Sequence, residues 1–225
     1  MNPTVKQSIV DRAIERDPAA AASEYLAEFR NDIFGFVSRE VVQACVTVGE
    51  RERPWSAAHR YVGFVDPSGG SSDSMTLAIG HREKDMTIAD VVREIAAPFD
   101  PESATEEFAK LLKSYGISRV TGDRYAGQWC AQAFQKRGIT YEPCDTPKSG
   151  LYVDLLPKLN SKTIRLPDIP KLVNQIAALE RPTSRGGKDS IDHPPAGHDD
   201  VANAVAGLAH CAVNRRTFSR QELRI

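Results

Sequence analysis

Between Tyr61 and Ile79 an apolar run, Tyr61 to Val65, stops at Asp66, passes through PSGGSSDS and resumes as a second apolar run from Met75 to Ile79. Short apolar runs bounded by glycine, proline and serine suit buried strands, whereas a helix needs a longer periodic stretch. The intervening residues supply the left-handed backbone and side-chain hydrogen bonds that reverse a chain. The pattern therefore predicts a strand, a Gly-rich turn and a returning strand, with a carboxylate delivered at the end of the first.

Downstream the periodicity alternates. Thr87 to Arg93 reads as a third strand, and Pro101 to Tyr115 as a helix, with Phe108, Leu111 and Leu112 on one face before Gly116 stops it. Arg119 to Gly122 is a strand ending in Asp123; a helix from about residue 125 to Lys136 closes at Gly138, and Thr140 to Glu142 is extended. Leu151 to Leu159 reads helical, Thr163 to Leu166 extended and Ile169 to Leu179 helical. The stretch PTSRGGKDSIDHPPAGH is a polar excursion, and a loop of that length inside a compact domain usually serves a function. Asp199 to Ala212 is a strong helix: its two acids suit the positive end of the helix dipole, and Val201, Ala204, Val205 and Leu208 form a face that would pack on the sheet. Strands alternating with helices imply an α/β sheet with parallel members.

Before this pattern, residues 5–46 carry apolar positions at helical spacing, for two or three short amphipathic helices, and GERERPWSAAH, residues 49–59, has no periodicity and reads as a linker. The 225 residues leave room for one full domain plus an appendage. A net charge of −1 means that attraction to a polyanion must come from a local patch rather than from the whole molecule. Cys45, Cys130, Cys144 and Cys211 are scattered without a CxxC pair, which disfavours a zinc knuckle or a disulfide framework and fits a reducing compartment. With neither a signal-like N-terminus nor an apolar stretch of membrane-spanning length, the expectation is a soluble, cytoplasmic protein.

Asp66 and Asp123 end strands, and Asp199 and Asp200 open a helix that should lie on the same sheet. In open α/β sheets, sites gather beyond the carboxyl ends of strands. Crowded carboxylates repel unless a cation lies among them, and oxygen-only ligands favour magnesium or manganese over zinc. No His/Cys ligand set competes for the role. Two such ions would serve phosphodiester cleavage by activating water and stabilising the leaving oxygen. Each acid also has a plainer reading, as a turn former at a strand end or a helix cap. Asp73, His193 and His198 are as readily structural as functional.

YVGFVDPSGGSSDSMTLAIGHRE, RVTGDRYAGQWC and DSIDHPPAGHDDVANAVAG together resemble the successive acidic motifs of the nuclease domain of phage large terminases, over about residues 60–212. The resemblance implies a ribonuclease H-like mixed sheet, three antiparallel strands followed by parallel ones, flanked by helices and preceded by a helical appendage. It implies residues 1–48 as the remnant of an ATPase tail, 49–59 as linker, 60–214 as nuclease domain and 215–225 as a tail. By the same resemblance Asp66 matches the first metal-binding aspartate, Asp123 the second and Asp199/Asp200 the third, with Mg²⁺ or Mn²⁺ as a pair of ions. Double-stranded DNA is the implied substrate; an ATPase domain, a small terminase subunit and a capsid portal are the implied partners. No GxxxxGK[ST] loop occurs, so ATP hydrolysis does not carry over, and a split gene product, an engineered fragment or a prophage remnant would explain the chain. A resolvase- or transposase-like nuclease on the same fold, and a catalytically silent remnant or portal- and DNA-docking module, are the competing readings.

From Lys148 to Lys188 eight basic residues face three acids, a plausible backbone-contacting stripe on a near-neutral protein. Lys148, together with Arg185 and Lys188 beside Gly186 and Gly187, are the expected DNA contacts. No recognition helix rich in Arg, Asn and Gln appears, so weakly sequence-specific cleavage is expected.

Overall fold

A computed structural model describes residues 7–16, 35–124, 127–181, 190–195 and 197–214. Its centre is the antiparallel trio β2 (Tyr61–Asp66), β3 (Met75–Glu83) and β4 (Met86–Ile95). Beside β2 lie β5 (Arg119–Gly122) and then β6 (Thr140–Pro143), both parallel; beside β4 lie β7 (Ile164–Pro167) and then β1 (Val46–Thr47), again parallel. The seven-stranded order is β1-β7-β4-β3-β2-β5-β6. From β2 onward this is the expected mixed sheet, with antiparallel strands followed by parallel ones; the parallel β1 precedes them.

Helices cover both faces. On one face lie α5 (Lys148–Asn160), α6 (Pro170–Ala178) and α7 (Asp200–Asn214), packed with Val62, Phe64, Ala78 and Val92. On the other lie α3 (Pro101–Ser114) and α4 (Gly127–Lys136), against Val65, Leu77, Ile79 and Val91. The split follows from the pleat, which sends alternate side chains to opposite faces. Asp66 is two residues beyond Phe64 and so shares the face covered by α7.

The contact of α7 with that face is close because its residues are small. A methyl group added to Gly207 would lie 2.3 Å from the Phe64 ring, so only glycine lets the helix axis come this near to β2. Gly70, in the turn after β2, has φ of +80° and abuts Phe99, consistent with the expected Gly-rich reversal.

Element types follow the sequence reading, with shifted ends. The helix expected from Leu151 begins at Lys148, and within its first turn the Ser149 hydroxyl accepts from the Ile191 N–H. Within the expected appendage, α1 (Gln7–Arg16) and α2 (Arg39–Gln43) are helical, while Val46–Thr47 pairs with β7, a two-residue strand too short to leave a periodic trace. Phe36, Val42 and Cys45 are buried in the core with α5 and α6, so packing is continuous from Phe36 into the sheet. Residues 49–59 are laced to it as well: the Gly49 N–H donates to Asp168, and the Arg53 N–H to the carbonyl of Asp90. The expected helices between residues 17 and 34 and the tail 215–225 lie outside the described residues.

Candidate metal centre

Asp66 closes β2, and Asp123 follows β5 on the neighbouring parallel strand, where Val65 pairs with Gly122 and the Asp123 N–H donates to the Val65 carbonyl. Adjacent strands lie about 4.8 Å apart, so two acids at matching ends are near neighbours by construction. The Tyr141 hydroxyl donates to the Asp123 carbonyl at 2.7 Å and fixes the strand end. The start of α7 is tied to the same place, because Thr76, the cross-strand partner of Asp66, donates its hydroxyl to the Asp200 carbonyl at 2.7 Å. The four predicted aspartates therefore converge on one end of β2.

Their electrostatics record the crowding. Burial first, and then the charges of Asp200, Asp123 and Asp199, push the Asp66 carboxyl up to about 7, against a stabilising hydrogen bond from Asn203. Asp200 is also raised, chiefly by burial and further by Asp199 and Asp73, with the Ser74 backbone and His198 opposing. A hard divalent cation reverses these penalties, and an all-oxygen donor set is the kind magnesium and manganese accept. The Oδ1 atom of the buried Asn203, beside Asp66, has no hydrogen-bond partner, a second sign of a polar site built for something more than the side chains themselves.

Asp199 is compensated differently. It is 4% exposed, and it accepts the Tyr152 hydroxyl at 2.7 Å and faces the Lys148 ammonium at 3.1 Å. Lys148 also meets Asp192 at 2.6 Å, so one ammonium bridges two carboxylates. Asp192, His193 and Asp199 bring ligand atoms within 4.8 Å of one another, and the lysine is the cation beside the two carboxylates of that trio. Burial works against the charge on Lys148, but Asp192 and Asp199 outweigh it and raise its pKa. Tyr152 rises well above its usual value through burial and the Asp199 charge.

Lys148, expected at the DNA surface, thus points its ammonium at acids of the site. Arg185 and Lys188 lie outside the described residues. His198 sits 3.8 Å from Asp73 at the rim, both more than half exposed. Sequence reasoning passed over Asn203 and Tyr152. Asn203 was detectable, since it follows Asp199 by one helical turn on the same face; Tyr152 meets Asp199 only through the packing of α5 on α7. The expectation that no histidine set exists does not hold: His193 joins Asp192 and Asp199 beside this site, and at the other end of the sheet His59, His81 and Glu83 come together.

No protein-family model matches the chain, and no curated protein matches it in sequence. Solved structures do. The large terminase nuclease of thermophilic phage G20c matches with a TM-score of 0.65 at 16% identity, over 76% of this chain and 95% of that one. The same nuclease with bound magnesium matches with a TM-score of 0.65 at 15% identity, over 77% and 96%. The HK97 bacteriophage large terminase matches with a TM-score of 0.61 at 14% identity, over 94% of this chain, which spans 52% of that one. The described residues contain no helix long and apolar enough to cross a membrane. At these identities the likeness is one of architecture: the chain has the ribonuclease H-like fold of phage large-terminase nuclease domains.

Proposed function

We propose that this chain is a metal-dependent DNA endonuclease of the large-terminase kind, cutting the phosphodiester backbone at the carboxyl end of β2. The observation that carries the reading is the convergence of Asp66 with Asp123, Asp199 and Asp200 at one end of β2, a crowding that together with burial pushes the Asp66 carboxyl up to about 7. A structural turn or cap has no need of four mutually repelling acids. Magnesium in one matching nuclease supports the cofactor class, as do cobalt and zinc in further structures of it.

Asp66, Asp123 and Asp200 would hold the ions, Mg²⁺ or Mn²⁺ as a pair. When bound, such ions supply Lewis acidity and an activated water for phosphodiester hydrolysis. The protein's own groups set up that chemistry. Asn203 donates to Asp66 and fixes the direction of its oxygens. Thr76 anchors the first turn of α7, so that Asp200 keeps its place relative to β2. Lys148 and Tyr152 neutralise and orient Asp199, leaving it a supporting role rather than that of a primary ligand. Double-stranded DNA is the proposed substrate, with Arg185 and Lys188 as candidate backbone contacts; an ATPase domain, a small subunit and a portal are the proposed partners in packaging, in the host cytoplasm.

Plasmid cleavage by the purified chain in Mg²⁺ or Mn²⁺, with and without EDTA, beside Asp66→Ala, tests the reading. Metal-dependent nicking that disappears in the variant supports it. A wild-type chain that cuts in neither ion rejects it and favours a silent docking module, and nicking that survives the substitution rejects the assignment of the site to Asp66.

A further inference from the structure

The opposite end of the β2–β3 pair carries a different set of side chains. Tyr61, the first residue of β2, pairs with His81, while Asp66, the last, pairs with Thr76. Five strand steps separate the two ends, roughly 17 Å. At the Tyr61 end, His59 Nε2 and His81 Nε2 each lie 3.5 Å from the same Glu83 oxygen, and all three ligand atoms fall within 4.8 Å of one another.

The protonation of His81 follows from its other nitrogen. Its Nδ1 is 2.6 Å from the carboxylate of Asp90, and both side chains are almost wholly buried. A buried carboxylate needs a donor, so Nδ1 carries the hydrogen and Nε2 is aimed at Glu83; burial opposes charge on the ring, but Asp90 and Glu83 outweigh it, so the place between Nε2 and Glu83 suits a cation, a proton or a metal ion. That nitrogen is buried without a hydrogen-bond partner. A lone pair facing a carboxylate oxygen is repulsive unless a cation stands between them.

The surroundings hold this arrangement in place. Asp90 is the extra residue of a β-bulge: Ile79 pairs with Val91 and Gly80 with Ala89, so Asp90 is skipped and its side chain is aimed at the ring. The rings of His59 and His81 stack with centroids 3.9 Å apart and Tyr61 meets both edge-on; the two lone pairs meet on one ion once the more exposed His59 ring turns out of the stack. A carboxylate behind a histidine whose far nitrogen is free is the arrangement that orients metal-binding histidines. Ligands on a tetrahedral zinc with bonds of about 2.05 Å stand about 3.4 Å apart, close to the two His–Glu separations here.

We propose that His59, His81 and Glu83 form a binding site for a zinc-class divalent ion, with Asp90 orienting His81, an open fourth position toward solvent, and residues 49–59 tethered to the sheet through His59. Imidazole nitrogens select this class of ion over magnesium. Glu83 is half exposed and provides the way in. The site is independent of the proposed nuclease centre, since it shares no residue with it.

The test strips the chain with chelator and adds Zn²⁺ alone, or Co²⁺ alone, to three proteins: Asp66→Asn, which weakens the carboxylate centre, and the same variant carrying His59→Ala or Glu83→Gln. Bound equivalents are read by elemental analysis, the ligand field by the visible cobalt spectrum, and folding by circular dichroism. The expected result is that the parent binds an equivalent that excess Mg²⁺ does not displace, with a cobalt spectrum of nitrogen ligation. Each added substitution removes that equivalent or weakens it at least tenfold while the fold is kept. Zinc binding unchanged by both substitutions overturns the proposal, as does a parent that binds no zinc, which would leave a proton as the only cation at His81.

Discussion

The two ends of the β2–β3 pair offer different atoms to a cation. At the Asp66 end the donors are carboxylates from β2, the segment after β5 and the start of α7, with an asparagine amide beside them. At the Tyr61 end they are two imidazoles and one glutamate, backed by a buried aspartate. One ladder thus presents a hard oxygen site and a borderline nitrogen site, and the difference lies in how negative charge is balanced. Asp90 has the proton on His81 Nδ1 as its partner, whereas Asp66 has an amide and three like charges. A group with only like charges around it is where a mobile cation gains most, which is why the proposed chemistry is assigned to one end and the proposed tether to the other.

The largest expected effect sets the two ends against each other. Asp66→Ala lowers metal-dependent nicking by about 10³-fold or more, the scale of losing a group that acts on the transition state, while His59→Ala leaves the rate within about twofold. Plasmid nicking rates in Mg²⁺ and Mn²⁺ check both. Equal losses from the two variants would break the division of roles.

Next is the pH dependence of stability in chelator. The folded-state pKa of Asp66, about 7, lies above the ordinary carboxylate value of 3.8. The folded state therefore holds a proton that the unfolded state has lost between these values, and stability falls as pH rises from about 4 to about 7, levelling off above. Asp66→Asn abolishes that loss. Relative to wild type it gains stability between pH 4 and pH 8 by on the order of 3 to 4 kcal/mol, an upper figure. Urea unfolding of both proteins across that range measures the difference; a flat difference would mean that Asp66 is not the strained acid.

Lys148→Met comes third. Asp199 would stay buried with its cation removed, a change that costs 3–5 kcal/mol for a fully buried pair and about 2 kcal/mol here, because the ammonium is part exposed. The raised pKa of Lys148 means that its contribution is fully present at neutral pH and is lost only as pH climbs through that raised value. Denaturant unfolding at pH 7 gives the cost directly, and a loss under about 0.5 kcal/mol would show that Tyr152 alone satisfies Asp199.

How much of this the sequence disclosed depended on whether a residue's role is local. Asp66 and Asp123 were legible because a strand's end is visible where an apolar run stops, and Asp199/Asp200 because a helix start has its own chemistry. The parallel members of the sheet followed from the alternation of strands and helices and its mixed character from the resemblance, whereas the strand order did not follow from either. The pairing of Val46–Thr47 with β7 was not legible, since two residues carry no period. Nor was the inward turn of Lys148, which is set by the packing of α5 against α7 and the placement of Asp192. His59 and His81 are brought together by strand register plus a bulge at Asp90 that no local pattern announces.

The smallest effect tests whether the compensation of Asp199 is a network or two separate contacts. Tyr152→Phe keeps the ring, which is fully buried and packs against Phe36 with centroids 6.1 Å apart, and removes only the hydroxyl that donates to Asp199. One hydrogen bond to a charged group is worth about 1.5–3 kcal/mol at most, and with Lys148 still in place about 1 kcal/mol is expected. If the lysine and the hydroxyl share the task, the double variant costs more than the two single losses together, since only then is Asp199 left with neither partner. A double-mutant cycle by urea unfolding reads this as a coupling above about 0.5 kcal/mol. Strict additivity would mean that the two partners act on Asp199 independently although both approach its Oδ2, and Asp199 would then be freer to join Asp66 as a metal ligand than the roles proposed above allow.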